Sequence, residues 1–334
     1  MRRHLSDYAQ MVHSLCLAKK QDLVVEFGSN DGTLLRFFKD LDYRILGVDP
    51  AVNLAQSATS SGIETLPEFF NKETASSIVA KYGKAKIICA NHCCAHIDDF
   101  LGVVDGVKIL LEEGGVWIFE VGYLLDVYTK GLFDTIYHEH VDFHTVTPLI
   151  KCFKAQGLKV INVTRSSIQG GALRCFVGWE STAPVIKGGA ESIQKLISAE
   201  VSIGLGTKET FLAWSESINR TGAELKVLLK GLRENGNRIV GYGAPAKATT
   251  LLYHFGISLK EIEYIVDDND LKQNMLSPGL HIPILHPSKI LQDKPNYVLI
   301  LAWNFADSII EQNRSYLESG GRFIIPLPSI SIVK

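Results

Sequence analysis

Residues 22–49 of this 334-residue chain, DLVVEFGSNDGTLLRFFKDLDYRILGVD, carry the clearest signal of its fold class. Its apolar run 22–29 ends in a glycine turn and is typical of a buried strand, while 33–41 has the spacing of a helix and 43–49 that of a second strand. A strand, a glycine turn, a helix and another strand, in this order, predict a parallel sheet with a crossover helix.

The same alternation continues through the first half of the chain and returns near its end. In the first half, further strands are predicted at 62–67, 85–91 and 116–122, and further helices at 53–58, 72–83 and 98–115. The pattern changes at about residue 145, with strands at 158–164 and 171–178 and a mostly helical stretch over 188–235. A second alternating region follows, with strands at 237–243, 262–268, 297–304 and 321–327 and a helix at 245–256. The predicted fold is α/β with two Rossmann-like domains, 1–180 and 181–334, and a boundary defined only to within 180–236.

Composition and charge exclude several classes of protein. The apolar fraction of 46% and the charged fraction of 21% are typical of a globular chain and not of a disordered one. The 34 basic and 36 acidic residues give a net charge of −2, which argues against nucleic acid as the main partner. No uncharged apolar run approaches the roughly 18 residues of a membrane span, and the first ten residues do not resemble a secretory signal. We therefore expect a cytoplasmic protein without a membrane partner.

Six cysteines bear on the compartment and on metal binding. They are Cys16, Cys89, Cys93, Cys94, Cys152 and Cys175, and none belongs to a C-x-x-C pair. A chain of this size without an export signal does not depend on disulfides, so we interpret these thiols as buried apolar groups in a reducing compartment. Cys93 and Cys94 lie between two histidines, but their adjacency does not match zinc spacing and no second half-site follows. No metal site is predicted.

A candidate cofactor site follows the first strand, at the turn that begins with Glu26. Ligands of an open α/β sheet bind beyond the carboxyl ends of its strands, and glycine lets the backbone approach them closely. The spacing G-x-x-x-G lacks the close second glycine that admits a pyrophosphate, and the acids Glu26 and Asp31 suit a cation instead. Asp49 ends the next strand, where an acid accepts hydrogen bonds from ribose hydroxyls. S-adenosylmethionine has both a cationic centre and a ribose, so it is the predicted cofactor. Its predicted contacts in this region are Glu26, Gly28, Asn30, Gly32 and Asp49.

Five of the ten histidines lie between residues 92 and 144, which locates the candidate chemistry after the fourth and fifth strands. Histidine titrates near neutrality and is the commonest general base. Within the tetrapeptide YHEH, residues 137–140, an extended backbone places both histidines on one face, whereas a turn breaks that parity. The sequence does not decide between the two conformations. His92 and His144 are interpreted as structural.

A second glycine loop, GYGAPA at 241–246, follows a predicted strand and precedes a helix. It matches G-x-G-x-x-A, and Asp267 ends the next strand, which together are typical of a dinucleotide site. This pattern supports a rival function, that of an NAD(P)-dependent nucleotide-sugar oxidoreductase. Pro245 removes one backbone donor from the loop, whereas Lys247 adds a positive charge that suits phosphates of many kinds.

Several stretches of the sequence together resemble one enzyme family. VVEFGSNDGTLL followed by LGVDPAVNLA is similar to class I S-adenosylmethionine-dependent methyltransferases. ANHCCAHIDDF, FDTIYHEHVDFHTVTPL, GGALR, GYGAPAKATTLL and LAWNFAD narrow the resemblance, which spans residues 6–330, to the sugar C-methyltransferases that act on nucleotide-linked 4-keto-6-deoxyhexoses. Members of that family commonly begin with a cysteine-rich zinc-binding domain. This chain starts just before the first methyltransferase strand, so we expect a form without that domain, and a non-catalytic homologue is a third possible reading.

The resemblance implies a particular carbon chemistry. The ketone of the sugar acidifies the neighbouring C3 proton, which a base must remove before the carbon can be methylated, while another group stabilises the enolate oxygen. It implies that His140 is this base. It also implies that Tyr137 and His96 are polar partners near the ketone or the base, and that Glu139 orients one of them.

The resemblance further implies how ligands are held. The first domain would be a class I methyltransferase domain that binds S-adenosylmethionine, with Phe69 near the adenine and Asn91 contacting the cofactor mainly through its backbone. The second Rossmann-like domain would contribute to binding the nucleotide-sugar. There, Gly243 and Lys247 would lie at the diphosphate, and Asn304 would reach the sugar or the nucleotide.

Overall fold

The computed structural model describes residues 2–15 and 18–334, which form two compact units. The first unit comprises Met1–Leu125 and Glu139–Gly204, and the second comprises Asp126–His138 and Leu205–Lys334. The strands of the first unit are β1 (Leu23–Phe27), β2 (Arg44–Val48), β3 (Thr65–Leu66), β4 (Ala85–Asn91), β5 (Leu111–Gly122), β6 (Leu158–Ser166) and β7 (Ala172–Trp179). The helices up to its end are α1 (Arg2–Leu15), α2 (Thr33–Asp40), α3 (Val52–Ser60), α4 (Lys72–Tyr82), α5 (Phe100–Leu110), α6 (Leu124–Thr129), α7 (Val146–Ala155) and α8 (Gly189–Ile203).

The sheet of the first unit has the strand order β3-β2-β1-β4-β5-β7-β6. The strands from β3 to β5 are parallel, and β7 pairs antiparallel with both β5 and β6. Every residue of β1 is buried, as expected for a central parallel strand with helices on both faces. Glu26 is the one polar residue of that strand, so its burial calls for a functional or structural reason.

Two apolar layers sandwich this sheet. On one face, Tyr8 of α1 and Phe38 of α2 belong to the same buried cluster as Ile118 of β5. On the other face, Trp117 of β5 packs edge-on against Phe153 of α7, with ring centroids 5.5 Å apart. Because side chains alternate along a strand, Glu120 falls on the same face as Ile118 and therefore on the side of α1.

The second unit is built around the sheet order β10-β9-β8-β11-β12-β13, in which β13 alone runs antiparallel to its neighbour. Its strands are β8 (Ile239–Tyr242), β9 (Ile265–Val266), β10 (Ile284–Leu285), β11 (Tyr297–Ile300), β12 (Arg322–Ile325) and β13 (Ser331–Val333). Its remaining helices are α9 (Lys208–Glu234), α10 (Ala246–Phe255), α11 (Ser288–Asp293), α12 (Ala306–Gln312) and α13 (Arg314–Glu318). None of the helices in the described part of the chain combines the length and the apolar character that a membrane span requires.

The structure corrects several element boundaries. The helix predicted over 98–115 is wrong beyond Leu110, because Leu111 already pairs with Ala85 and begins β5. The helical stretch over 188–235 is interrupted between α8 and α9. α8 carries the first unit to Gly204, inside the range of 180–236 expected for the boundary, and its Ser192 hydroxyl accepts from the N–H of Val163 in β6. Residues 126–138 belong to the second unit, and nothing in the sequence pattern predicts this.

Candidate active site

The candidate site begins at the turn after β1, where Gly28 has a left-handed backbone with φ of +66°. A Cβ atom at this position would lie 2.8 Å from Cβ of Cys93, which real Cβ contacts essentially never show. Across the same gap, Sγ of Cys93 donates to the carbonyl oxygen of Phe27 at 3.5 Å. Gly28 therefore allows the loop after β4, residues 92–96, to lie directly against the turn.

Asp49, at the end of β2, fixes the same turn. Its carboxylate accepts from the N–H of Asn30 at 2.8 Å and from the N–H of Ala51 at 3.0 Å, one bond on each oxygen. Each oxygen keeps further acceptor capacity, which suits the ribose hydroxyls expected there. Gly32 is buried where α2 begins and, like Asn30, has a left-handed backbone, so the whole turn is tightly wound.

Glu26 is a buried carboxylate, and one of its two oxygens accepts no hydrogen bond from the described residues. Its Oε1 accepts from Nδ2 of Asn91 at 3.2 Å, whereas Oε2 of Glu26 and Oδ1 of Asn91 have no partner among residues 2–15 and 18–334. Burial, reinforced by the charges of Asp31 and Asp49 and opposed by the Asn91 bond, raises the pKa of Glu26 to about 8. Two orphaned acceptors at the carboxyl ends of β1 and β4 fit a cationic ligand with N–H donors, such as the ammonium of S-adenosylmethionine.

Two phenylalanines follow β3 and differ sharply in environment. The ring of Phe70 stacks on Phe27 with centroids 4.4 Å apart and an interplanar angle of 6°. Phe69 has 75% of its surface exposed. Phe70 is therefore the ring that packs inside the unit, and Phe69 is the ring available to a ligand such as adenine.

His96 and His140 come together at the carboxyl end of β4. Their rings stack with centroids 5.1 Å apart and an interplanar angle of 30°. The pairing is fixed by backbone bonds, because the carbonyl of Ala95 accepts from the N–H of Val141 at 3.0 Å. Burial and the charges of His140 and His92, opposed by Glu139, lower the pKa of His96. His96 therefore lies on the loop that Cys93 holds against the glycine turn, and the hydrogen bond at Ala95 brings His140 beside it.

The YHEH tetrapeptide adopts a turn, which settles the conformation that the sequence left open. Tyr137 is half-buried and its ring lies 5.9 Å from that of His138, which is exposed like Glu139. The division between the two units falls inside the tetrapeptide, since Tyr137 and His138 belong to the second unit and Glu139 and His140 to the first. The roles of Tyr137 and Glu139 remain predictions.

A buried polar network lies beside this site and has no counterpart in the sequence interpretation. Glu120 of β5 accepts from Arg174 of β7 at 2.6 Å, from Nε2 of His4 at 3.0 Å and from Nε2 of His92 at 3.1 Å. Glu120 and Arg174 are direct cross-strand neighbours in the β5–β7 ladder. The quoted string GGALR contains the arginine, but the pairing depends on strand register, which the sequence does not reveal.

In the second unit, Lys247 has a partner that the sequence did not indicate. Its ammonium group lies 3.4 Å from the carboxylate of Asp134 and 4.7 Å from the centroid of the Trp303 ring, and its side chain is only 12% exposed. Trp303 donates through Nε1 to the same carboxylate at 2.7 Å. Burial lowers the pKa of Lys247, although the charge of Asp134 opposes this. Its predicted contact with a diphosphate therefore has to compete with a buried ion pair.

The second glycine loop is as tightly constrained as the first. Gly243 has φ of +87°, and a Cβ there would lie 2.6 Å from Cβ of Ala302. Asp267 accepts from the N–H of Ala244 at 2.6 Å, as Asp49 does from the first turn. Asn304 follows β11, and its buried Oδ1 has no partner within the described ranges, so it remains available to a ligand. A pocket of about 270 Å³ lies at this edge, lined in part by Gly243, Asp267 and Phe305.

The histidines and cysteines between residues 92 and 96 contact different partners and do not converge on one point. His92 bonds to Glu120, His96 stacks on His140, and Cys94 is fully buried. In the portions of the chain that the structure describes, no group of three or more His, Cys, Asp or Glu residues could hold a metal ion. Cys89 and Cys175 are buried as expected, whereas Cys93 and Cys152 are half-buried, and Cys16 lies outside the described residues.

Both halves of the chain match models of known protein families. Residues 1–163 match the model of a methyltransferase domain, and residues 167–328 match that of a C-methyltransferase C-terminal domain. The C-methyltransferase NovU of Streptomyces niveus is 36% identical over 312 residues, which cover 93% of this chain and 74% of that protein.

Two solved structures are similar at much lower identity. A SAM-dependent methyltransferase from Anabaena variabilis has 14% identity and a TM-score of 0.43, covering 53% of this chain and 84% of that one. The magnesium protoporphyrin IX methyltransferase of Synechocystis, with bound SAM, has 10% identity and a TM-score of 0.39, covering 53% and 77%.

Proposed function

Because the chain belongs to the C-methyltransferase family, we propose that it methylates C3 of a nucleotide-linked 4-keto-6-deoxysugar after removing the proton from that carbon. It is an S-adenosylmethionine-dependent C-methyltransferase, with a class I methyltransferase domain followed by a second mixed α/β domain. The predicted family, enzyme class, fold and cofactor are therefore confirmed, and the sugar and the roles of single residues are the proposal.

Transfer to carbon sets the chemical requirement. Bound S-adenosylmethionine supplies an electrophilic methyl group on a sulfonium, which a carbon nucleophile takes while a neutral thioether leaves. The protein must therefore turn an unreactive C–H into a nucleophile, and a ketone on the adjacent carbon makes that proton removable by a side-chain base.

The stacked pair of His96 and His140 is the observation that carries the proposal. The loop that bears His96 is pressed against the turn of the cofactor site, and the stacked pair places two imidazoles, the commonest general-base side chain, at that loop. In the proposal His140 takes the C3 proton. The stacked ring of His96 holds the His140 imidazole in its orientation and excludes water from one of its faces. Glu26 and Asn91 receive the cationic end of the cofactor, Asp49 its ribose and Phe69 its adenine.

The substrate class is supported by the resemblance of the YHEH and GYGAPAK stretches to sugar C-methyltransferases. A nucleotide-linked sugar brings a diphosphate, for which the second glycine loop offers Gly243 and the N-terminal turn of α10. Lys247 would exchange part of its pairing with Asp134 for the diphosphate, and Asn304 offers its unpartnered Oδ1 to a hydroxyl or a base N–H.

The test uses the whole chain with S-adenosylmethionine and a dTDP-4-keto-6-deoxyglucose-type substrate. We expect a product heavier by one methylene and, without the cofactor, exchange of the C3 proton with solvent deuterium. His140→Asn should keep cofactor affinity and lower both rates about 10²–10⁴-fold, the usual contribution of a general base. Rates near those of the wild type would show that the base is another residue, and an unmodified sugar would refute the substrate class.

The rival oxidoreductase function has one observation in its favour, the pocket at the second glycine loop, where Asp267 ends β9. Calorimetric titration with NAD(P) separates the two functions. Tight binding of NAD(P) together with no response to S-adenosylmethionine would replace the proposed activity by hydride transfer.

A further inference from the structure

His92 is an imidazole at the cofactor mouth that the mechanism above does not use. It directly follows Asn91 at the end of β4, and its N–H donates to the carbonyl of Glu120 at 2.7 Å. Its backbone has φ of +54°, a left-handed conformation that non-glycine residues adopt rarely. The next residue, Cys93, is the one packed against Gly28. The chain is thus bent at His92, between the strand end that holds Asn91 and the cysteine that packs on Gly28.

Glu120 holds this imidazole by one nitrogen. The carboxylate is 1% exposed and accepts from Nε2 of His92 at 3.1 Å. The side chain of His92 is 20% exposed, and its Nδ1 has no hydrogen-bond partner within the described ranges. A ring with one nitrogen committed to a buried acid and the other available is the arrangement by which a carboxylate fixes the orientation of a working histidine.

The surroundings keep Glu120 ionised. Arg174 donates to Oε2 at 2.6 Å, and His4 shares Oε1 with His92. Burial by itself raises the pKa of Glu120, but the bond from His92 and the charges of Arg174, His92 and His4 outweigh burial and bring it to about 2. A carboxylate that stays charged at neutral pH accepts from the Nε2–H of His92 and so holds the ring in one orientation.

We propose that His92 is a further catalytic residue, whose Nδ1–H donates to the carbonyl oxygen of the methyl acceptor while the adjacent carbon is deprotonated. Glu120 is its positioning residue. The proposal rests on the proposed ketone substrate. As the base takes the proton, the C3–H electron pair forms the C3–C4 double bond, and the C4–O π pair moves onto oxygen, where the Nδ1–H bond stabilises it. When C3 gains the methyl group, the electrons return and the ketone is restored, so His92 gains and loses no proton.

This assignment separates the hydrogen-bond donor from the base by their surroundings. His96, half-buried and next to two other imidazoles, has a lowered pKa, which favours its neutral form and suits it to the base side. His92 faces an ionised carboxylate instead.

The test compares His92→Gly with His4→Ala. Glycine adopts the left-handed backbone of residue 92 without strain, so His92→Gly removes the imidazole and leaves the turn relaxed. His4→Ala removes a different donor to the same Oε1 and serves as the matched control. We expect His92→Gly to slow C3 deuterium exchange and methylation about 10²–10³-fold, with S-adenosylmethionine affinity within about twofold of the wild type. Added imidazole should restore part of both rates, and His4→Ala should retain them.

Three outcomes overturn the proposal. Rates of His92→Gly within about threefold of the wild type would remove His92 from catalysis. Equal losses in both variants without rescue by imidazole would make the network structural. A wild-type protein that binds S-adenosylmethionine but neither exchanges nor methylates the sugar would refute the proposed substrate, and the role of His92 with it. The first two results leave the proposed function standing.

Discussion

Glu26→Gln tests the buried carboxylate of the cofactor site, because it removes the charge and preserves the shape. With a pKa of about 8, Glu26 is about 90% protonated at pH 7 in the free protein. A cationic ligand that bonds to Oε2 requires the ionised form, so binding must expel that proton. We expect wild-type binding of S-adenosylmethionine at pH 7 to release nearly one proton, and that of Glu26→Gln to release almost none.

The same pKa sets the size of the effect on affinity and on stability. At pH 9 the charged hydrogen bond should make wild-type binding about 10–100-fold tighter than that of Glu26→Gln, and this advantage should shrink towards pH 6. Because the folded pKa lies above the ordinary value for glutamate, the unfolded chain releases this proton first, and the free protein loses stability as pH rises from 4.5 to 8. The difference corresponds to about 5 kcal/mol as an upper limit, with a slope of about 1.4 kcal/mol per pH unit.

The assay is isothermal titration calorimetry in two buffers that differ in ionisation enthalpy, combined with urea denaturation from pH 5 to 9. Glu112→Gln, at an exposed position of β5, is the matched control and should behave like the wild type. No proton release by the wild type, or the same pH dependence of affinity in wild type and Glu26→Gln, would refute the claim that a buried, protonated Glu26 receives the cation.

Three further substitutions test the packing around the site. Gly28→Ala should lower the free energy of unfolding by about 1–3 kcal/mol, because alanine resists the left-handed backbone and its Cβ has no room; an unchanged urea midpoint would contradict that geometry. Glu120→Gln should cost about 3–5 kcal/mol at pH 7, since Arg174 stays buried without its partner. This loss should diminish as acid protonates the wild-type carboxylate from pH 4.5 down towards 2, and a pH-independent difference would count against it. Phe69→Ala should leave Tm unchanged and weaken S-adenosylmethionine binding about 2–10-fold, whereas Phe70→Ala should lower stability by roughly 2 kcal/mol or more; the reverse pattern in thermal and calorimetric scans would exchange their roles.

Patterns in short stretches of sequence predict most of the helices and strands. The strand and helix around the first glycine turn lie within about two residues of their predicted bounds, since burial on both faces selects a continuous apolar run and the turn selects glycine. The end of α5 was wrong for a non-local reason. Residues 111–115 continue a helical pattern into a glycine stop, but pairing of Leu111 with Ala85 makes the strand more favourable there.

The candidate site likewise contains residues that local sequence patterns predict and contacts that only the fold reveals. The sequence predicts Glu26, Gly28, Asn30 and Asp49 as candidate contacts because each sits at a strand end or turn, where ligands of an open α/β sheet bind. The pairing of Lys247 with Asp134 was not identifiable, since 113 positions of chain separate them and no spacing rule connects the two.

The amino-acid pattern alone predicts the alternating architecture, the glycine turn after the first strand and the family of the enzyme. These features depend on residues that are close in sequence. The spacing of apolar residues, the glycines and the acidic residues can therefore be interpreted without knowing how the rest of the chain folds. Only the tertiary structure decided that His96 stacks on His140, that Phe69 is exposed, and that Glu120 joins Arg174 to His92. Such pairs form where strand register and loop packing bring distant side chains within a few ångströms, and that placement arises from folding of the whole sheet.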